Sequence, residues 1–107
     1  MDRVSKLKEY ISVNGVDSFL QHALALEYIK TGNEEEAKKL FNEILKREPT
    51  YVGSYYHLGK LLERVGEPRK AMRVYKRGME IAKAANDSNS YRELQGAYED
   101  LEDELKS

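Results

Sequence analysis

Cysteine is absent from the 107 residues. Its absence removes disulfide staples, thiolate zinc sites and cysteine nucleophiles together, so the core has to hold the fold unaided. Proline is scarce, only Pro49 and Pro68, and no Pro-rich or Gly-Ser stretch interrupts the chain, so no linker is expected. A long apolar run is also missing. The opening segment MDRVSKLKEYISVNG scatters charges throughout and reads neither as a signal peptide nor as a membrane span, which makes the cytoplasm the expected compartment. Nor is there a charge excess of one sign: 18 Lys and Arg stand against 19 Asp and Glu, so no overall field draws the chain to nucleic acid or to a lipid surface. What remains is 40% hydrophobic and 35% charged in a length that suits one soluble domain and is too short for two cooperating ones.

Catalytic groups are few. His22 and His57 are the only histidines and neither has a metal-ligand spacing such as H-E-x-x-H. The seven glycines are dispersed, so no phosphate loop, nucleophile elbow or dinucleotide fingerprint occurs. Acidic pairs are plentiful but fall on solvated helix faces. The expectation is a protein without catalysis, cofactor or metal.

What the chain does contain is an internal repeat. An offset of 34 residues pairs Leu24 with Leu58, Gly32 with Gly66 and Ala37 with Ala71. Around these identities the sizes also agree: Ala25 with Gly59, Leu40 with Val74, Phe41 with Tyr75, Leu45 with Met79. Each unit reads as helix, turn, helix. Leu20, Leu24 and Tyr28 share one helical face, as do Tyr55, Leu58 and Leu62. Gly32 and Gly66 then stop these first helices, since glycine enters the left-handed conformation without side-chain penalty. Asn33 is placed to cap the following helix, with Glu34, Glu35 and Glu36 in its positive first turn, and Pro68 suits the first turn of the equivalent one. The second helices carry the stripes Ala37, Leu40, Phe41, Ile44, Leu45 and Ala71, Val74, Tyr75, Gly78, Met79. Small residues at Ala25, Gly59, Ala37 and Ala71 let the paired helices approach, and Phe41 and Tyr75 fill the space beside them.

The flanks extend the pattern. Val4, Leu7 and Ile11 share a face before Asn14 and Gly15, and Leu7 lies 34 residues before Phe41, the signature of a half repeat. Beyond the break at Asn86 to Asn89, Ser88 or Ser90 opens a terminal helix with Tyr91, Leu94, Tyr98, Leu101 and Leu105 at three-and-four spacing. Six helices are therefore expected, at about 2–13, 18–31, 34–47, 52–65, 68–84 and 89–105. As domain organisation this gives one all-α domain over 1–107: an N-terminal half repeat at 1–15, repeats at 18–51 and 52–85, and a capping helix at 88–105.

These residues resemble the tetratricopeptide repeat, a 34-residue unit with the pattern W-x2-L-G-x2-Y, A-x3-F, P. Leu24, Ala25, Tyr28, Ala37, Phe41 and Pro49 carry it in the first unit, and Tyr55, Leu58, Gly59, Leu62, Ala71 and Tyr75 in the second. Gln21 and Tyr55 stand where the family has tryptophan, and Lys83 where the second unit would have proline. The resemblance implies a right-handed α-α superhelix whose first helices line a concave groove that accepts a segment of a partner protein. By alignment the groove would be lined by Phe19, His22, Leu26 and Lys30, by Tyr56, His57, Lys60 and Arg64, and by Arg92 of the terminal helix. Such a wall suits a ligand with an apolar anchor and an acidic group, with Tyr56 stacking and Lys60, Arg64 and Arg92 supplying charge. The lysine, asparagine and arginine clamp of chaperone-binding members is not reproduced, since the aligned sites hold His22, Leu26, His57, Asn89 and Glu93.

Charge is uneven along the chain. Residues 68–84 carry six basic side chains against Glu80, and residues 86–107 carry seven acids against Arg92 and Lys106. The acidic helix beside the basic one argues against nucleic-acid binding. It leaves a second reading open, a self-associating repeat unit that forms a weak homo-oligomer or joins a larger assembly.

Overall fold

A computed structural model describes residues 2–107; residue 1, part of the expected half repeat, lies outside the described residues. Six helices follow one another: α1 (Arg3–Asn14), α2 (Ser18–Lys30), α3 (Glu34–Arg47), α4 (Gly53–Arg64), α5 (Pro68–Ala84) and α6 (Ser88–Lys106). Among the described residues there is no strand, and every boundary lies within one residue of the expected one. The helices group into two compact units, one ending at Tyr51 and one spanning Val52–Ser107, divided at the joint between the repeats.

The turns between helices follow one design. At the end of α2, the Gly32 amide donates to the Ile29 carbonyl (3.1 Å) and the Asn33 amide to the Tyr28 carbonyl (2.7 Å), with Gly32 at φ 85°. The end of α4 repeats this through Gly66 to Glu63 and Glu67 to Leu62, with Gly66 at φ 82°. α5 ends identically through Asn86 to Lys83 and Asp87 to Ala82, but with asparagine at φ 57° in the left-handed position, where it is the most tolerated residue after glycine.

Two capping expectations need correction. Asn33 occupies the N-cap of α3 but makes no side-chain cap; its amide nitrogen instead donates to Thr31 Oγ1 at 3.1 Å. α6 is opened not by Ser88 or Ser90 but by Asp87, whose carboxylate accepts from the Ser90 amide (3.0 Å) and hydroxyl (2.7 Å). A carboxylate accepts more strongly than a hydroxyl at a helix N-terminus, and Ser90 thereby becomes the donor. Asp2 and Asp17 cap α1 and α2 in the same way.

In the first unit α2 packs on α3, burying Leu24, Ala25 and Tyr28 against Ala37, Phe41 and Ile44. The first-repeat residue in the tryptophan position, Gln21, is buried and polar, and its partners come from the end of α3. Its oxygen accepts from Arg47 (2.6 Å) and its nitrogen donates to Glu43 (3.3 Å), while Arg47 also reaches Ser18 (2.8 Å). A buried amide is tolerated only when its donors and acceptors are met, and here they are. α1 is tied to α2 by Arg3 with Glu27 (2.9 Å) and by Lys8 over the Tyr28 ring, but none of its described residues is fully buried.

In the second unit α4, α5 and α6 pack on one another around Tyr55, Leu58, Leu61, Leu62, Ala71, Tyr75, Ala82, Leu94, Ala97 and Leu101. Tyr55, equivalent to Gln21, is paired with Arg77, which lies 34 residues beyond Glu43. The expected small-against-large packing is present: a Cβ on Gly59 would lie 2.6 Å from Cδ1 and 2.7 Å from Cζ of Tyr75. Gly78 is as tightly held, against Tyr55 Cβ at 2.6 Å.

Two glycine substitutions should therefore move stability in opposite directions. Gly59→Ala forces the Tyr75 ring aside and should cost about 2 kcal/mol. Gly96→Ala adds a methyl to an exposed helical position with open space around it and should gain up to about 1 kcal/mol. In thermal unfolding followed by circular dichroism each kcal/mol corresponds to about 4–8 °C.

Candidate functional site

All nine expected site residues fall on the first-type helices α2, α4 and α6. They differ in what surrounds them. On α2, Phe19 is 69% exposed in the first turn and Lys30 is exposed at the last residue. Leu26 is half-buried between them. His22 is half-buried with its ring centroid 5.6 Å from Phe41, edge-on, and 5.6 Å from Tyr51, so part of its surface serves packing.

On α4 the expected residues form a cluster. Tyr56 and His57 meet edge to face with centroids 5.5 Å apart, and Lys60 places its ammonium 5.8 Å from the Tyr56 ring centre, one turn along. This is a cation-π contact at a partly open site. Lys60 lies 3.9 Å from Glu63 Oε2, the same oxygen that accepts the Tyr75 hydroxyl. Burial first, then the Glu63 hydrogen bond and charge, hold that hydroxyl far above the ordinary tyrosine range and therefore protonated. Arg64 is exposed at the end of α4. Arg92, on α6, is exposed and donates to Asn89 at 2.9 Å.

Two contributors were not among the expected site residues. Glu93 of α6 acts electrostatically on His57, and the Tyr75 hydroxyl secures Glu63. Glu93 was legible, because it occupies the repeat position of His57 in α6; the Tyr75 hydroxyl was not, since the repeat pattern marks that position only as an aromatic filler. Among the described residues no group of three or more His, Asp and Glu is placed to hold a metal ion. Among the described residues no helix is long and apolar enough to cross a membrane.

The family model described as tetratricopeptide repeat matches residues 20–51 and 52–84. Among solved structures, the crystal structure of a tetratricopeptide repeat domain protein from Salinibacter ruber is 40% identical, covers 81% of this chain and 97% of that one, and superposes with a TM-score of 0.79. The solution structure from the same source is 41% identical, with coverage of 80% and 87% and a TM-score of 0.78. A protein from Bordetella parapertussis, 22% identical, covers 97% of this chain and 90% of that one at a TM-score of 0.85 and shares the fold. A comparison with curated proteins finds no match. The chain belongs to the tetratricopeptide repeat family. Members of that family are in general non-catalytic modules for protein-protein interaction.

The surroundings of His57 generate a pH dependence. Burial lowers its pKa below the ordinary 6.5, the Glu93 carboxylate opposes this, and Arg64 adds to it. Between the folded pKa and 6.5 the unfolded chain binds more protons, so this histidine's contribution to stability is complete above 6.5 and is lost as pH falls through that window. His57→Gln should flatten the decline in melting temperature over that range, and an NMR titration of the imidazole should place its midpoint below 6.5.

Proposed function

We propose that the 107 residues act as one non-catalytic binding domain whose first-type helices hold a segment of a partner protein. The observation that carries this reading is the α4 cluster: Tyr56, His57 and Lys60 are half-exposed, His57 and Lys60 each lie against the Tyr56 ring, and the exposed Arg64 follows on the same helix. Tyrosine and arginine side chains are common anchors of protein interfaces. The chemistry fits a segment with an acidic side chain or carboxylate for Lys60 and Arg64 and an apolar group against the Tyr56 face. On α2, Phe19 and Leu26 offer an apolar surface ending in Lys30. Arg92 adds a cation on α6. The partner is a protein, not nucleic acid or membrane, and the compartment is the cytoplasm in this reading.

Capture of partners from native lysate tests it. The triple variant Tyr56→Ala, Lys60→Ala, Arg64→Ala should retain at least about tenfold less of the principal captured protein than the parent, as expected when anchor residues worth more than about 1 kcal/mol each are removed. A separate triple variant at Phe19, Leu26 and Lys30 measures the contribution of α2. Unchanged capture by the first variant, with its helical circular dichroism intact, overturns the assignment of the α4 face.

A further inference from the structure

The outer surface of α1 presents Lys6, Tyr10 and Val13 in one stripe at intervals of four and three, with Tyr10 53% and Val13 75% exposed. These three also line a shallow hollow with Glu9 and Asn14. Tyr10 and Val13 thus place apolar surface beside the Lys6 ammonium. α6 carries a second, partly open stripe: Glu102, Tyr98 and Gln95, read toward its N-terminus, are half-buried at the same intervals of four and three. Run antiparallel, the two stripes match in order. In that pairing Lys6 would stand opposite Glu102, Tyr10 opposite Tyr98 and Val13 opposite Gln95.

The repeat phase agrees with this direction. Leu7 of α1 is in register with Phe41 of a second helix, whereas Leu94 of α6, once a two-residue insertion before that helix is allowed for, occupies the place of Leu58 in a first helix. First and second helices of one repeat run antiparallel, as α2 with α3 and α4 with α5 do here. We infer that two copies of this chain associate head to tail, α6 of one copy pairing antiparallel with α1 of the next to complete a repeat across the interface.

Charge favours this arrangement over pairing α6 with α6, which would bring together two helices that each carry Glu99, Asp100, Glu102, Asp103 and Glu104, whereas α1 against α6 brings Lys6 to Glu102. The interface is heterologous, so association continues from copy to copy as an open chain or closes as a ring. One helix pair gives a small contact, so affinity is weak, about 100 µM, and association appears only at high concentration.

Sedimentation equilibrium of the 107-residue chain up to ~1 mM reads the interaction directly. The weight-average mass should rise from 12.4 kDa to at least about twice that value, and fall back as salt is raised. Tyr10→Asp with Val13→Asp blocks α1, and Tyr98→Asp blocks α6. Each blocked chain alone should stay monomeric, and their equimolar mixture should form a dimer and nothing larger, because each retains one intact surface. Should Tyr98→Asp lose helical signal, a charge exchange replaces it: Lys6→Glu should weaken association about tenfold, and adding Glu102→Lys in the same chain should restore it. A wild-type chain that remains monomeric throughout, a mixture that does not pair, an α1 block without effect, or a charge exchange without rescue overturns the inference.

Discussion

Reversal of chain direction within a single residue of positive φ is the constraint on which this structure depends. At three joints the residue after the left-handed one serves two helices at once. Asn33, Glu67 and Asp87 each give their amide to the helix before and their carbonyl to the helix after, to Ala37, Ala71 and Tyr91 respectively. No residue is left over to lengthen the turn, so the paired helices must lie side by side from their first turns. Close side-by-side packing then demands small residues on one helix wherever the other is large, which is why Gly59 stands under the Tyr75 ring and Ala25 shares the buried face with Phe41.

The same geometry explains how the chain manages without tryptophan. The family's tryptophan position is buried, and this chain fills it with Gln21 in one repeat and Tyr55 in the other. Both carry a polar end that needs a partner, and both find it on the second helix of the same repeat: Arg47 for the Gln21 oxygen and Glu43 for its nitrogen, and, at the position equivalent to Glu43, Arg77 for Tyr55. The pairs have exchanged chemistry while keeping place. An amide that donates meets a carboxylate; a phenol meets a guanidinium. Polar replacement of a core aromatic is thus balanced locally within each repeat.

Much of this was legible from periodicity alone. Glycine at Gly32 and Gly66 together with three-and-four apolar spacing is a direct consequence of helix geometry, and so the six helices could be placed to within a residue. Caps were harder to read. Asp, Asn and Ser all accept hydrogen bonds from a helix start, and at Asp87–Ser90 the sequence offers several in a row; geometry had to choose. The exposed ring of Phe19 and the packed ring of His22 were equally opaque, since alignment assigns both to one face but cannot say that Phe41 and Tyr51 approach only the second. Long-range side-chain pairs such as Tyr75 with Glu63 have no periodic signal at all.

That last pair connects the core to the surface proposed for binding. The ring of Tyr75 sets the spacing of α4 and α5, and its hydroxyl donates to Glu63 Oε2 on the outer side of α4. That oxygen accepts one hydrogen bond from the core, and the Lys60 ammonium stands 3.9 Å from it, at the outer limit of an ion pair. Exposed pairs of that length contribute little. The Lys60 ammonium also lies 5.8 Å from the centre of the Tyr56 ring, so two neighbours on α4 set its position. The tyrosine that spaces the two helices thus also fixes the carboxylate beside Lys60, so one side chain sets both the core packing and the charge pattern of this face.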